Sequence, residues 1–219
     1  MITRKLISKE IQTVTLDYSG IDALSIMQEY HLSQIAVVEG NKLQGIISEE
    51  DIWSMNDDND KLITIKDKLQ MYSMTLGKDV FEVIKYMDDH NLSLLPMVTN
   101  GKYIGSITHQ TTISALASLV AIKETGGVII LEMNKKEYSM SEIAQIVESN
   151  SARILSTYIT DVDERNIIKI TLKLNISDVS PIIQTFQRYS YKVAASYNHS
   201  ENRNNLDDRY DLLMRYLNP

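Results

Sequence analysis

The sequence repeats itself with a period of sixty residues. From Ile11 to Ile52, residue n lies over residue n+60 without a gap. Thr15 and Leu16 fall on Thr75 and Leu76, Met27 on Met87, and Leu32 and Ser33 on Leu92 and Ser93. Val38, Lys42, Gly45 and Ile47 fall on Val98, Lys102, Gly105 and Ile107, and Asp22 faces the similar Glu82. Such a repeat restricts the fold, because each short unit leaves an apolar face that its twin can cover.

Each copy predicts the same order of elements. Ser19-Gly-Ile-Asp22 has the pattern of a helix N-cap, followed by Ile21, Leu24 and Met27 at helical spacing. In the second copy Asp79 is the candidate cap, and Val80, Val83, Ile84 and Met87 form the stripe. Hairpins follow. Residues 34–38 and 42–47 flank Gly40-Asn41, and residues 94–98 and 102–107 flank Asn100-Gly101, turn residues that accept positive φ. A second helix is expected over 49–55 and over 109–123. The two copies are expected to pack as an intramolecular pair with pseudo-two-fold symmetry.

The chemistry lies where each hairpin enters its second helix. Copy one reads Gly45-Ile-Ile-Ser48-Glu-Glu-Asp51, and copy two Gly105-Ser-Ile-Thr108-His-Gln-Thr111. A carboxylate accepts hydrogen bonds from both hydroxyls of a ribose. A Ser or Thr at a strand-to-helix junction stands beside unpaired helix N–H groups. The same Ser-x-x-Asp is also an ordinary capping pattern, and both uses fit these residues.

The glycine, apolar pair, hydroxyl and acid resemble the end of the hairpin in the cystathionine-β-synthase (CBS) domain. The resemblance covers roughly residues 1–122 as a tandem pair. It implies that Ser48 and Asp51 hold the ribose of an adenosine-type ligand in the cleft between the copies, with Thr13 near the base. Thr108 and Thr111 would form a second site in which threonine replaces the acid. AMP, ADP, ATP, S-adenosylmethionine and NADH are the implied ligands, and no cofactor is required. A phosphate would need cations, and Arg4, Lys5, Lys9, Lys61, Lys66 and Lys68 are the nearby candidates.

After Lys123 the pattern changes. Thr125-Gly126-Gly127 breaks the chain. Strands are expected over 128–133, 153–160, 168–174 and 191–197, with helices after Ser139-Met-Ser-Glu142 and over 178–189. A polar loop is expected over 161–166. The order β-α-β-β-α-β is ferredoxin-like and, after a CBS pair, resembles the ACT domain. The first turn, Asn134 to Tyr138, lacks the glycine of amino-acid-binding members. A packing or dimerisation module is the alternative use. The tail predicts a helix presenting Leu206, Tyr210, Leu213, Met214 and Leu217 on one face.

The expected fold is therefore α+β. Its boundaries are CBS repeats over 1–60 and 61–124, an ACT-like domain over 125–199 and a C-terminal helix over 200–219. The whole arrangement is similar to bacterial CBS-domain proteins, including acetoin-utilisation-type ones. Composition narrows the function. The 219 residues carry a net charge of −7, which disfavours a nucleic-acid partner, and there is no cysteine for disulfide or thiolate chemistry. The uncharged run from Thr111 to Ile122 is well short of the ~20 residues of a membrane span, and the N-terminus turns polar at once, so a cytoplasmic protein is expected. Asn56 to Asp60 resembles a calcium loop but has Lys61 where glycine belongs. The four histidines show no metal spacing, and no nucleophile–base set emerges. The expectation is a non-catalytic regulator, homodimeric, sensing an adenosine ligand and acting on a protein partner. A scaffold with vestigial sites and an amino-acid sensor are the alternatives.

Overall fold

The sixty-residue offset carries directly into the backbone. In the computed structural model, which describes residues 3–162 and 166–197, helix α1 (Gly20–Tyr30) has its counterpart in α3 (Val80–Asp89). Strands β1 (Gln34–Glu39) and β2 (Lys42–Ser48) match β4 (Leu94–Thr99) and β5 (Lys102–Thr108). Helix α2 (Glu49–Trp53) matches the start of α4 (His109–Leu119). Even the irregularities repeat. Both hairpins shift register at the same place, between Val37 and Val38 and between Met97 and Val98. His31 and Asn91 both take the left-handed conformation that ends the preceding helix, at φ 53° and 50°.

The caps are those the sequence predicts. The Ser19 hydroxyl accepts the Asp22 N–H, and Asp79 and Glu82 form a reciprocal capping box on α3. Both second helices are shorter than expected: α2 stops at Trp53, and α4 stops at Leu119, with Ala121 at φ 54° just beyond.

The chain divides into two compact units, Met1–Leu116 and Ala117–Pro219. In the first, α1 buries Ala23, Ile26 and Met27 against Ile35, Val37 and Ile47. Leu62 and Ile65, from a 3-10 segment at Leu62–Lys68, complete the same core. The segment before each helix adds a parallel rung to its hairpin: Val14 pairs with Val37, and β3 (Met74–Thr75) pairs with β4 through Met74 and Met97.

The repeats also exchange their lead-in segments. Ser8, near the start of the first repeat, bridges Ser106 in β5 through N–H···O bonds of 2.9 and 3.0 Å. Gln70, near the start of the second repeat, bridges Ile46 in β2 through bonds of 2.8 and 3.0 Å. The glycine shared by the two motifs serves this exchange. Gly45 and Gly105 lie at φ 147° and 134°, and a β-carbon would stand 3.0 Å from the Gln70 carbonyl oxygen and 2.6 Å from that of Ser8, respectively. Like packs on like, β1 against β4 and β2 against β5, as a pseudo-two-fold requires.

The second unit is a ferredoxin-like βαββαβ. Its elements are β6 (Val128–Asn134), α5 (Met140–Ser149), β7 (Ile154–Val162), β8 (Ile167–Leu174), α6 (Ser180–Arg188) and β9 (Lys192–Tyr197). The sheet order is β7-β8-β6-β9, antiparallel throughout. Alternate residues of β6 and β8, among them Leu131 and Ile170, meet Ile143, Val147 and Phe186 from the helices. Strand β7 runs two residues beyond its expected end, because Asp161 and Val162 still pair with Lys169 and Ile168. Residues 163–165 of the expected loop, and the expected tail helix over 200–219, lie outside the described residues. No helix among the described residues is long and apolar enough to cross a membrane.

Candidate functional site

In the first motif the predicted pair is in direct contact. The Ser48 hydroxyl donates to Asp51 Oδ2 at 2.6 Å, and the Ser48 N–H donates to the same oxygen at 3.1 Å. The Asp51 N–H returns a bond to Ser48 Oγ at 3.1 Å. This is a full capping box at the start of α2. It also leaves Asp51 Oδ1 without a hydrogen bond from the described residues, on a half-buried side chain. The two uses that the sequence leaves open are therefore compatible: one carboxylate oxygen caps, and the other remains available to a hydroxyl donor.

The second motif repeats the geometry with weaker chemistry. Thr111 Oγ1 accepts the Thr108 N–H at 3.0 Å and donates to the Thr108 carbonyl at 2.8 Å. The Thr111 N–H reaches Thr108 Oγ1 at 3.3 Å. A hydroxyl that has given its one proton away keeps a single acceptor position, against the two or three of a carboxylate.

The second motif borders open space. Thr108 and Thr111 line a cleft of about 550 Å³. Its other walls are Ser8, Glu10 and Ile11 of the exchanged lead-in segment, Tyr30 and His31 at the end of α1, and the first turns of α4. A second cleft of about 680 Å³ is lined by pseudo-symmetric partners, Ser33 with Ser93 and Glu49 with His109, together with Trp53. Neither lining includes Ser48 or Asp51. Thr13 is half-buried beside the Val14 bridge and lines neither cleft. Ser93 binds the two repeats at the same place: its hydroxyl accepts the N–H groups of Ser33 and Gln34, each at 3.1 Å.

None of the candidate phosphate cations lines these clefts. Lys61 instead pairs with Asp17 at 2.9 Å, and Lys68 reaches the Ser54 hydroxyl. His109 is exposed and lines both clefts, as does His31. No group of three or more metal-ligating side chains is found among the described residues. Sequence reasoning missed Glu10, which reaches the second motif through the exchanged lead-in segment, and Tyr30 and His31, which reach it from the end of α1 through the pairing of the repeats; neither route has a signature in the motif itself.

In the second unit a cavity of about 460 Å³ is bordered by Glu132, Glu137, Glu142, Tyr191 and Lys192. Burial and the neighbouring Glu142 carboxylate push the Tyr191 phenol up to about 12. Lys192 is held by Glu132 at 2.6 Å.

Residues 4–52 and 70–118 match the family model of the CBS domain. Inosine-5'-monophosphate dehydrogenase of Bacillus subtilis is 25% identical over 143 residues, covering 63% of this chain and 29% of that enzyme. A Methanocaldococcus jannaschii protein is 30% identical over 103 residues, covering 46% of this chain and 34% of its own. The chain thus spans only about a third or less of the length of these curated relatives. Among solved structures, a CBS domain pair/ACT domain protein from Thermotoga maritima superposes with a TM-score of 0.47 at 16% identity, over 54% of this chain and 98% of its own. A Vibrio cholerae protein assigned to acetoin utilisation superposes with a TM-score of 0.47 at 19% identity, over 56% of this chain and 96% of its own.

Proposed function

Because residues 4–52 and 70–118 each match the CBS-domain family model, we propose that the protein is a non-catalytic regulator that senses an adenosine-containing ligand between its repeats. The observation that carries this reading is the cleft beside Thr108 and Thr111, whose walls come from both repeats and from the lead-in segment. A ligand that touches both repeats favours the arrangement in which both contacts are made, and so biases their relative position. Ser48 and Asp51 form the other candidate ribose site, with Asp51 Oδ1 as the acceptor. The dehydrogenase relatives share about a quarter of their length with this chain, and their activity is not carried over.

The βαββαβ unit is read as an ACT-like module that passes the change to a protein partner in the cytoplasm. Its acidic cavity, with Lys192 already paired, suits the carboxylate of an amino acid poorly. A homodimer is the expected assembly. Ile21 with Phe81, and Trp53 with Ile113, are equivalent positions in the two repeats, and all four side chains are exposed. Matched apolar positions of this kind suit an interface between two copies of the chain.

Titration calorimetry with AMP, ADP, ATP, S-adenosylmethionine and NADH tests the reading. A ligand at 100 times its dissociation constant also stabilises by about 2.7 kcal/mol, which a melting curve resolves. Loss of binding in Thr111→Val assigns the open cleft, and loss in Asp51→Ala assigns the first motif. No binding at millimolar concentration overturns the sensor and leaves the scaffold. A response to an amino acid that survives both substitutions moves the site to the second unit.

A further inference from the structure

We infer that the cleft beside Thr108 takes an adenosine ligand that is neutral or cationic rather than a phosphate-bearing one, and that Glu10 sets this choice. The inference rests on the adenosine reading above and concerns which member of that class the site accepts.

The charge of the lining is the starting point. Among the described residues Glu10 is the only carboxylate on the cleft wall; the basic side chains there are the imidazoles of His31 and His109, and no lysine or arginine stands there. The Glu10 carboxylate takes no hydrogen bond or ion pair from the described residues, while its backbone is fixed. Its N–H donates to Ser8 Oγ at 3.2 Å, and its carbonyl accepts the Tyr30 hydroxyl at 3.0 Å. Tyr30 lines the same cleft, so this bond holds Glu10 at its mouth.

The usual alternative to a cation is a free helix N-terminus, and here it is largely occupied. The His109 N–H donates to the Ser93 carbonyl at 3.1 Å. The N–H groups of Thr108 and Thr111 are each taken by the other's hydroxyl. A phosphate entering this cleft would lose water and meet a carboxylate with no lysine or arginine to offset it, only the exposed imidazoles of His31 and His109, which is unfavourable. A neutral nucleoside meets no such penalty, and an adenosine sulfonium such as S-adenosylmethionine gains an opposite charge. Glu10 also restores what Thr111 lacks, a carboxylate able to accept two ribose hydroxyls.

The test is calorimetric titration of the full chain with adenosine, S-adenosylmethionine, AMP and ATP. The wild type is expected to bind adenosine or S-adenosylmethionine at least tenfold more tightly than ATP. Glu10→Gln, which keeps the shape, should narrow that ratio, and Glu10→Lys should reverse it. Glu10 is exposed and outside every helix and strand, so both variants should fold. Equal or tighter binding of ATP to the wild type overturns the inference while leaving the adenosine reading intact. An unchanged order in Glu10→Lys, or loss of all binding in Asp51→Ala alone, removes Glu10 from the role. If none of the four compounds binds, the adenosine reading itself fails, and this inference with it.

Discussion

Gln34 and Ser93 hold each other reciprocally across the two repeats. The Gln34 N–H donates to the Ser93 hydroxyl at 3.1 Å, and the Ser93 N–H donates to the Gln34 side-chain carbonyl at 2.7 Å. The same Ser93 hydroxyl accepts the Ser33 N–H, and the Gln34 amide donates to the Asn91 carbonyl at 3.0 Å. The symmetry of the pair is broken here, since the counterpart of Gln34 is Leu94.

Ser93→Ala strands two backbone donors at a part-buried seam. Each unsatisfied buried group costs about 1–3 kcal/mol, so the variant should lose at least that much in urea unfolding. Faster hydrogen exchange at Ser33 and Gln34, with the α5 amides unchanged, would locate the loss. Unchanged exchange at both amides would mean that water replaces the hydroxyl.

Gly105→Ala should disturb the lead-in segment. The added carbon would crowd both the Ser8 carbonyl and the Ile7 side chain, at a φ that alanine rarely adopts. Backbone strain of this kind costs about 1–3 kcal/mol. Loss of ordered signal from Ser8 to Ile11 in NMR spectra, together with weaker ligand binding, is the expected result. Gly45→Ala, which meets Gln70 at a longer distance, should do less.

Leu62→Ala should behave as a core substitution of the first repeat rather than as a change in a linker. Leu62 is fully buried among Val14, Met27 and Ile52. Truncating a leucine in such a site costs about 2–5 kcal/mol. Chemical denaturation of the variant beside exposed Ile63→Ala is the comparison, and equal stabilities would count against it.

Tyr191 gives the second unit a dependence on alkaline pH. Its folded-state value of about 12 lies above the ordinary 10.0, so the native state keeps a proton that the unfolded chain gives up. The associated stability is complete below pH ~10 and is lost as pH rises through about 12. Ultraviolet titration should find Tyr191 ionising late, beside Tyr103, whose phenol burial also pushes up, and Tyr191→Phe should remove the step that belongs to Tyr191. Glu142→Gln should bring it earlier, because the carboxylate is part of its cause. An unshifted curve in Glu142→Gln would leave burial as the whole explanation.

Much of the fold was legible because its signals are local. The caps at Ser19 and Asp79, the Asn100-Gly101 turn and the alternation through β8 each lie within a few residues of what they determine. The match of residue n with n+60 then set two copies side by side. The exchange of lead-in segments was not legible. Ser8 and Gln70 make single bridges, too short for any periodicity to announce them. Leu62 and Ile65 lie among Lys61, Lys66 and Lys68, where two apolar residues in a charged stretch carry no periodicity to mark them as core. The candidate site followed the same division. Ser48, Asp51, Thr108 and Thr111 stand out as motifs, whereas Glu10 joins Thr108 only because the segment carrying it crosses to the other repeat.

That crossing bears on what happens when the chain is cut. A fragment ending near residue 69, which keeps Leu62 and Ile65, would carry a lead-in segment whose acceptor is β5, and a β2 whose proper guest, Gln70, is missing. Each fragment would thus hold one half of a lock that only a second molecule could close. Two such fragments placed head to tail would satisfy each other's edges, so an isolated repeat should assemble into dimers by strand exchange rather than persist alone. Covalent linkage of the two copies keeps that exchange within one molecule, where the effective concentration of the donated segment no longer depends on how much protein is present.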